Sequence, residues 1–335
     1  MIGNLQPFNE LINKMKTSPK KIIFTGSTDE RILEAASRLL ASNFLKPILV
    51  GDEEEILGKA EKEGFNIRGA EIIDFNKFDK LDEMLDSFLE IRKGKGLTRD
   101  DARRLLAEND NYFGLMLVEM GYADALLGSQ KYSMAETMVP AFKVFKTKPG
   151  HKIATSCSVL VRPYATGGDE VIVMGDCTVH ITPNPEELAE IGTNMAEFGV
   201  KFGIEPHVAF LSYSTLGSGK GEDVDKMREA AAIAKKNAPE YAIDGEIQFD
   251  AAVSPVVARI KCKGSDVAGR ANTFVFPDLN AGNIGYKVAN RLGNFSTYGP
   301  VILGLSKPAN FMTRGANADQ TYVLAIITAA QSEWL

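Results

Sequence analysis

The segment KKIIFTGSTDERILEAASRLLAS, Lys20–Ser42, decides the fold class. Its first part, KKIIFTG, is a short apolar run punctuated by Gly26. Its second part, DERILEAASRLLAS, places Ile32, Leu33, Ala36, Leu39 and Leu40 on one helical stripe. A strand followed by an amphipathic helix is half of a βαβ unit, and the pattern recurs: KPILVGD precedes EEEILGKAEKEG, and AEIID precedes FDKLDEMLDSFLEIRKGKG. Parallel strands need a long crossover, and a helix supplies it, so these repeats predict an α/β chain of mostly parallel sheets with flanking helices.

Working outward, DDARRLLAEN and YFGLMLVEMG read as two further helices before ADALLGS. At KTKPGHK, Pro149 and Gly150 break the helical pattern, and a new series of strands begins with IATSCSVLVR, DEVIVMGDC and HVAFLSYS. We place a domain boundary there. Strands and helices alternate again through TFVFPD, AGNIGYKVANRLG and GPVILGL, and a closing helix starts near Ala318.

The chain has 335 residues, 44% of them hydrophobic, enough to bury two domain cores. Its 44 acidic and 38 basic side chains give a net charge of −6, which argues against a nucleic-acid or anionic-membrane partner and for a small-molecule one. The three cysteines, Cys157, Cys177 and Cys262, form neither a disulfide framework nor a metal-binding pair, consistent with a reducing cytoplasm. No signal peptide or run of about 18 apolar residues is present, so a cytoplasmic protein is expected.

Several nucleotide and hydrolase motifs are missing. LGSGKGED looks superficially like a phosphate loop, but Gly221 follows Lys220 where a magnesium-holding hydroxyl belongs. There is no GxGxxG after the first strand, no HExxH and no GxSxG. His151, His180 and His207 are far apart and read as ordinary surface or turn residues.

Four segments together resemble the phosphate acetyltransferase family, which includes the phosphate butyryltransferases: FLSYSTLGSGKG, AIDGEIQFDAAVSP, GSDVAGRANTFVFPDLNAGNIGYKVANRLG and GPVILGLSKPANFMTRG. The resemblance implies two α/β domains with an active cleft between them, in a homodimer. It also implies that the last helix returns to the first domain, giving a discontinuous domain of residues 1–149 plus 310–335 and a second domain of 150–309. The implied reaction moves an acetyl or other short acyl group between coenzyme A and inorganic phosphate, with acyl-CoA, phosphate and acyl phosphate as substrates and no metal or tightly bound cofactor.

Such chemistry needs cations for phosphate, a donor for the developing oxyanion and a base for the thiol. By match to the family's motifs, Arg92, Arg291 and Arg314 stand at substrate-binding arginines, and a guanidinium fork suits phosphate. For Arg92 and Arg291 the alternative is a solvated helix face. Thr313 stands where the family has a serine that donates to the carbonyl oxygen, and its alternative is a turn-closing hydroxyl. Tyr298 either lines the coenzyme A channel or packs in the core.

Departures from the family fall on the same chemistry. Gln320 replaces the aspartate to which the thiol proton is assigned, and an amide has no basic lone pair. Asn317 three residues earlier favours a capping-box role for Gln320 instead. Tyr132 stands at a histidine and Val139 at an arginine, leaving Lys131 either to compensate or to be an exposed helix-entry charge. The first reading is therefore a phosphate acyltransferase. The second is a weakened relative that binds acyl-CoA or a partner without efficient turnover, and the third, a nicotinamide dehydrogenase, lacks its fingerprint.

Overall fold

The computed structural model describes residues 6–129, 131, 134–163 and 169–334. The chain begins with α1 (Gln6–Thr17), β1 (Lys20–Phe24), α2 (Glu30–Ser42), β2 (Leu45–Val50), α3 (Glu53–Glu63), β3 (Glu71–Ile73) and α4 (Leu81–Ile91). There follow α5 (Arg99–Glu108), α6 (Asp110–Glu119), β4 (Ala125–Gly128) and α7 (Met134–Val144). The next stretch holds β5 (Thr155–Pro163), β6 (Asp169–Gly175), α8 (Pro185–Phe202), β7 (His207–Leu211), α9 (Glu222–Asn237) and β8 (Ala242–Ile247). It continues with α10 (Phe249–Val253), α11 (Pro255–Lys261), β9 (Thr273–Val275), α12 (Leu279–Leu292) and β10 (Ser296–Leu303), and the chain closes with β11 (Ala309–Phe311) and α13 (Ala318–Gln331).

Helix ends follow local chemistry. Asp29 caps α2 by accepting from Arg31 N–H at 3.0 Å, and Asn43, at φ 53°, ends it in the left-handed region that asparagine tolerates. On α2 the predicted stripe is the buried one: Ile32, Leu33, Ala36 and Leu39 are inaccessible, and Leu40 is half-buried. Each of the inaccessible Ile and Leu side chains contributes about 1.5–3 kcal/mol by leaving water, which is what holds a 13-residue helix that would be marginal alone.

The chain divides into two compact units. One comprises Phe8–Pro149 and Leu305–Leu335, and the other includes Gly150–Gly304. In the first unit five parallel strands lie in the order β11-β4-β1-β2-β3. Ile22, Ile23 and Phe24 of the central strand are fully buried. The helix α13 packs on α2 and β4. The return to this unit falls at Leu305 and not at residue 310, because β11 joins the sheet beside β4 and draws the preceding residues with it. Exit and return run side by side: Thr147 bridges Leu305, and Ser306 N–H donates to Lys146 O at 2.8 Å.

The second unit holds six strands in the order β10-β5-β6-β9-β7-β8. Here β5 is antiparallel to both β6 and β10, while β6, β9, β7 and β8 run parallel. The two antiparallel pairings are the exception to an otherwise parallel architecture. A core cluster including Leu160, Met174, Ala209, Ile247, Val267 and Phe274 fills one part of this unit.

Candidate active site

In the first sheet the strand order reverses between β1 and β4, and ligands of open parallel sheets bind outside the carboxyl ends of the strands at such a reversal. The residues there are tightly interlocked. Thr25 Oγ1 donates to Asn111 Oδ1 at 2.5 Å and accepts from Ser129 N–H at 3.2 Å. Gly26 N–H donates to Asp110 Oδ2 at 2.7 Å. Gly26 sits at φ +63°, and a Cβ added there would lie 2.1 Å from Ser129 Oγ, so no larger residue fits. The amino ends of α2, α6 and α13 all lie at the carboxyl ends of these strands, where the positive end of each helix dipole favours negative charge.

The segment Thr313–Gln320 continues from the carboxyl end of β11. Ala316 N–H donates to Thr313 O at 3.0 Å, closing a turn over Arg314 and Gly315. The turn is held from α2: Arg31 Nη1 donates to Arg314 O at 3.2 Å and to Ala316 O at 2.9 Å, while its Nε and Nη2 grip the two oxygens of Asp29 at 2.9 and 2.6 Å. Burial opposes ionisation of Asp29, but the Arg31 guanidinium and backbone N–H hold its carboxyl below the usual range. Thr313 is half-buried and Arg314 is exposed, its guanidinium without a partner among the described residues.

Gln320 is occupied structurally. Its Oε1 accepts from Asn317 N–H at 2.9 Å, and Asn317 Oδ1 accepts from Gln320 N–H at 2.9 Å, a complete capping box. Asp319 is paired with Arg38 at 2.8 Å, and Arg38 also stacks on Tyr322. At this edge Asp29, Asp110 and Asp319 are therefore all engaged by partners.

The other expected residues are distributed. Lys131 is exposed just beyond β4, and its N–H donates to Ser129 Oγ at 3.4 Å. Arg92 is not within a helix but is the residue that ends α4, half-buried. Val139 lies on α7 and is 38% exposed, and Tyr132 lies outside the described residues. Arg291 and Tyr298 belong to the second unit: Arg291 is exposed in the last turn of α12, and Tyr298, on β10, is buried to 7% exposure. A free guanidinium is not diagnostic of anion binding, since Arg68, Arg103 and Arg259 are also without ion-pair partners among the described residues.

Two features at the carboxyl ends of the second sheet carry buried charge. Glu246, inaccessible, accepts from Ser214 Oγ at 3.0 Å, Gly217 N–H at 2.7 Å and Arg228 Nε at 3.0 Å. Burial works against its ionisation, but Arg228 and these donors keep its carboxyl below the usual range. The loop that superficially looked like a phosphate cradle thus spends an amide on the protein's own carboxylate. The second feature is Asp176, just after β6, which accepts from Thr178 N–H and Val179 N–H at 3.0 Å each, His180 N–H at 3.3 Å and the Ser156 hydroxyl. His180 Nδ1 lies 2.7 Å from its Oδ2. Hydrogen bonding to Asp176 raises the His180 pKa against the opposing effect of burial. His180 is thus a turn residue paired with a buried carboxylate. The Asp-x-x-x-His spacing was visible in the sequence, but only the turn of the chain after β6 makes it a pair.

The cysteines are buried and free, and burial pushes the Cys157 and Cys177 thiols up, so they are inert. Among the described residues no group of three His, Cys, Asp or Glu is placed to hold a metal ion, and no helix is long and apolar enough to cross a membrane.

Comparison with known proteins gives a consistent match. The phosphate acetyltransferase of Bacillus subtilis (strain 168) is 44% identical over 97% of this chain and 98% of its own length. A phosphotransacetylase structure from Streptococcus pyogenes superposes with a TM-score of 0.92 at 46% identity, covering 98% of this chain and 99% of the other. The EutD phosphotransacetylase from Staphylococcus aureus does so with a TM-score of 0.89 at 41% identity, covering 98% of each chain. Residues 7–329 match the family described as Phosphate acetyl/butaryl transferase, and the chain belongs to that family.

Proposed function

We propose that this protein is an acyltransferase that moves an acetyl or other short acyl group between coenzyme A and inorganic phosphate. The observation that carries this reading is the near full-length likeness, at 44% identity, to a relative named phosphate acetyltransferase. The comparisons lend no support to a weakened, non-catalytic relative. Coenzyme A and acyl phosphate are exchanged as substrates, with no tightly bound cofactor.

In this reading Arg314, fixed through its backbone by Arg31, holds phosphate oxygens, with Arg92, Arg291 and Lys131 as further cations for phosphate or coenzyme A. The Thr313 hydroxyl donates to the carbonyl oxygen as negative charge builds on it. Tyr298, buried on β10, shapes the substrate channel from within the core. Gln320 fixes the start of α13 through its capping box and takes no proton. Two domains, Phe8–Pro149 with Leu305–Leu335 and Gly150–Gly304, form the subunit. The active form is a cytoplasmic homodimer. The exposed stripe Ile284, Val288 and Leu292, spaced at helical repeats on α12, offers an apolar face that association would cover.

The test is to mix the purified protein with acetyl phosphate and coenzyme A and follow loss of free thiol together with release of phosphate. Equal rates of the two are expected. A cooperatively melting protein that consumes no thiol, or that binds NAD and not coenzyme A, overturns the assignment.

A further inference from the structure

Within the Phe8–Pro149 unit, a cavity of about 380 Å³ lies between the amino ends of β1, β2 and β3 and the end of α2. The Thr313–Gln320 turn follows the carboxyl end of β11, so this cavity is at the opposite end of the same parallel sheet. Its charged lining is Lys21, Lys46, Arg68 and Glu71. We propose that it binds a small organic phosphate, a monoester whose phosphate is held by Lys21, Lys46 and Arg68 and whose organic part rests on the apolar wall.

The charges there are unbalanced. Lys21 and Lys46 are register partners on neighbouring strands, so two ammonium groups leave the sheet side by side, which is unfavourable unless an anion lies between them. Glu71, at the start of β3, answers only one of them: its Oε2 is 3.6 Å from Lys21 Nζ. Lys46 and Arg68 are without ion-pair partners among the described residues. Asp124, the carboxylate on the other side of β1, is not part of the lining, and its Oδ2 accepts from Lys21 N–H at 2.7 Å. The lining thus sets three cations against one carboxylate, a surplus that suits the charge of about −1.5 to −2 on a phosphate monoester at neutral pH. A lone free guanidinium says little, but one that shares a cavity with two lysines can place its fork on two phosphate oxygens while they act as point charges.

The backbone around the cavity is fixed before any ligand arrives. Arg68 sits in a tight turn: Ala70 N–H donates to Ile67 O at 3.1 Å, Arg68 N–H donates to Asn66 Oδ1 at 3.2 Å, and Ile67 anchors the turn at 5% exposure. Gly69 follows at φ +99°, and a Cβ there would lie 3.9 Å from Leu40 Cδ2, so the turn rests against the last turn of α2. Across the cavity, Lys21 is held through its backbone, since Asp124 N–H donates to Lys21 O at 2.9 Å. Leu40, Pro47 and Ile48 give the wall its apolar part. The volume is more than inorganic phosphate needs and falls within the range of about 300–1,000 Å³ common for small-molecule sites, so the ligand carries an organic body.

This site is separate from the Arg314 turn. Helix α2 spans 13 residues, about 20 Å; Arg31 in its first turn holds the Arg314 carbonyl, while Leu40 and Asn43 at its far end line the cavity. Ligands at the two ends can therefore be bound together, and substitutions at Lys46 and Arg68 leave the Arg314 turn untouched.

The experiment is calorimetric titration of phenyl phosphate, with phenyl sulfate as the singly charged analogue of the same shape and inorganic phosphate as the probe without a body. Wild type, the double variant Lys46→Gln with Arg68→Gln, and Arg314→Ala are compared. Saturable phenyl phosphate binding is expected in wild type, severalfold tighter than that of phenyl sulfate or inorganic phosphate. The double variant should weaken it by at least about tenfold, and Arg314→Ala should leave it within about twofold. KM for acetyl phosphate should be unchanged in the double variant. No saturable binding at millimolar phenyl phosphate, equal affinity for phenyl sulfate, or equal affinity in the double variant overturns the proposal, as does binding lost in Arg314→Ala and kept in the double variant. Lys46 and Arg68 are exposed, so the variant should melt as wild type does. Should it fail to fold, amide NMR of the wild type decides. Phenyl phosphate should shift the Asn43, Arg68 and Gly69 amides, and shifts confined to Thr313–Ala316 refute the site.

Discussion

Replacing Arg31 by alanine should loosen the Thr313–Ala316 turn without touching the residues placed in it. Arg31 donates to the Arg314 and Ala316 carbonyls at 3.2 and 2.9 Å and grips both oxygens of Asp29. A hydrogen bond from a charged group is worth about 1.5–3 kcal/mol in favourable cases, but both side chains of the Arg31–Asp29 pair are 27% exposed, so solvent screens part of it. We take about 2 kcal/mol for the whole arrangement. At about 2–4 °C per kcal/mol for a unit of this size, the melting temperature should fall by about 4–8 °C. Because the lost bonds hold the Arg314 backbone, kcat/KM should fall as well, by about tenfold, measured as thiol loss with acetyl phosphate and coenzyme A. The decisive comparison is a double-mutant cycle. If Arg31 acts by positioning Arg314, then Arg31→Ala should cost much less activity in an Arg314→Ala background than in wild type. Unchanged melting and kinetics, or fully additive losses in the cycle, would refute the reasoning.

Arg314→Ala alone should weaken phosphate or coenzyme A binding while melting within a degree or two of wild type, since its exposed guanidinium packs on nothing. Calorimetry showing unchanged affinity in the folded variant removes it from the site. Asn317→Ala should destabilise by about 1 kcal/mol through loss of the α13 cap, read as a lower urea midpoint. Gly26→Ala should cost more than about 1 kcal/mol, because the residue sits at φ +63° and its Cβ would meet Ser129 Oγ at 2.1 Å; an expressed variant with unaltered melting contradicts that packing. His180→Gln should destabilise more at pH 6 than at pH 9. The folded-state pKa of His180 is raised, so its stabilisation is complete below the unfolded value of about 6.5 and is lost as pH rises through the folded one.

The strand and helix grammar was legible because it is local. The apolar run of β1, the stripe of α2 and the Asn317–Gln320 box all depend on residues within one or two turns of each other, and each forms as the spacing predicts. The reversed direction of β5 was not legible, since a buried strand reads the same whether its neighbours run parallel or antiparallel. Nor was the role of Arg31, whose carbonyl partners lie 283 and 285 residues away in the chain. Tyr298 had two readings in the sequence, channel or core, and burial is what it shows here. The Asp176–His180 contact was not legible for a different reason. Its partner is four residues away, but a loop has no period from which to infer that two side chains will meet.

Gln320 departs from the acidic residue that the family resemblance places at the start of α13. In this chain that position does a structural task, and does it completely: the carboxamide accepts from the Asn317 N–H, and the neighbouring carboxylate of Asp319 is committed to Arg38. An aspartate at 320 would have a side chain one methylene shorter and would put a negative charge in the first turn of α13. The first edge favours anions, with helix amino ends, the Arg314 guanidinium without a partner among the described residues, and Asp29 and Asp319 committed to arginines. The second edge has the opposite character, since Asp176 and Glu246 are both buried there as hydrogen-bonded acceptors. Buried carboxylates that each take three or more donors are costly to assemble, and at Asp176 the arrangement fixes a titratable ring. Anion binding and proton acceptance need opposite local fields. Each edge thus carries its own local field, the first from helix amino ends and the Arg314 guanidinium, the second from buried carboxylates held by donors.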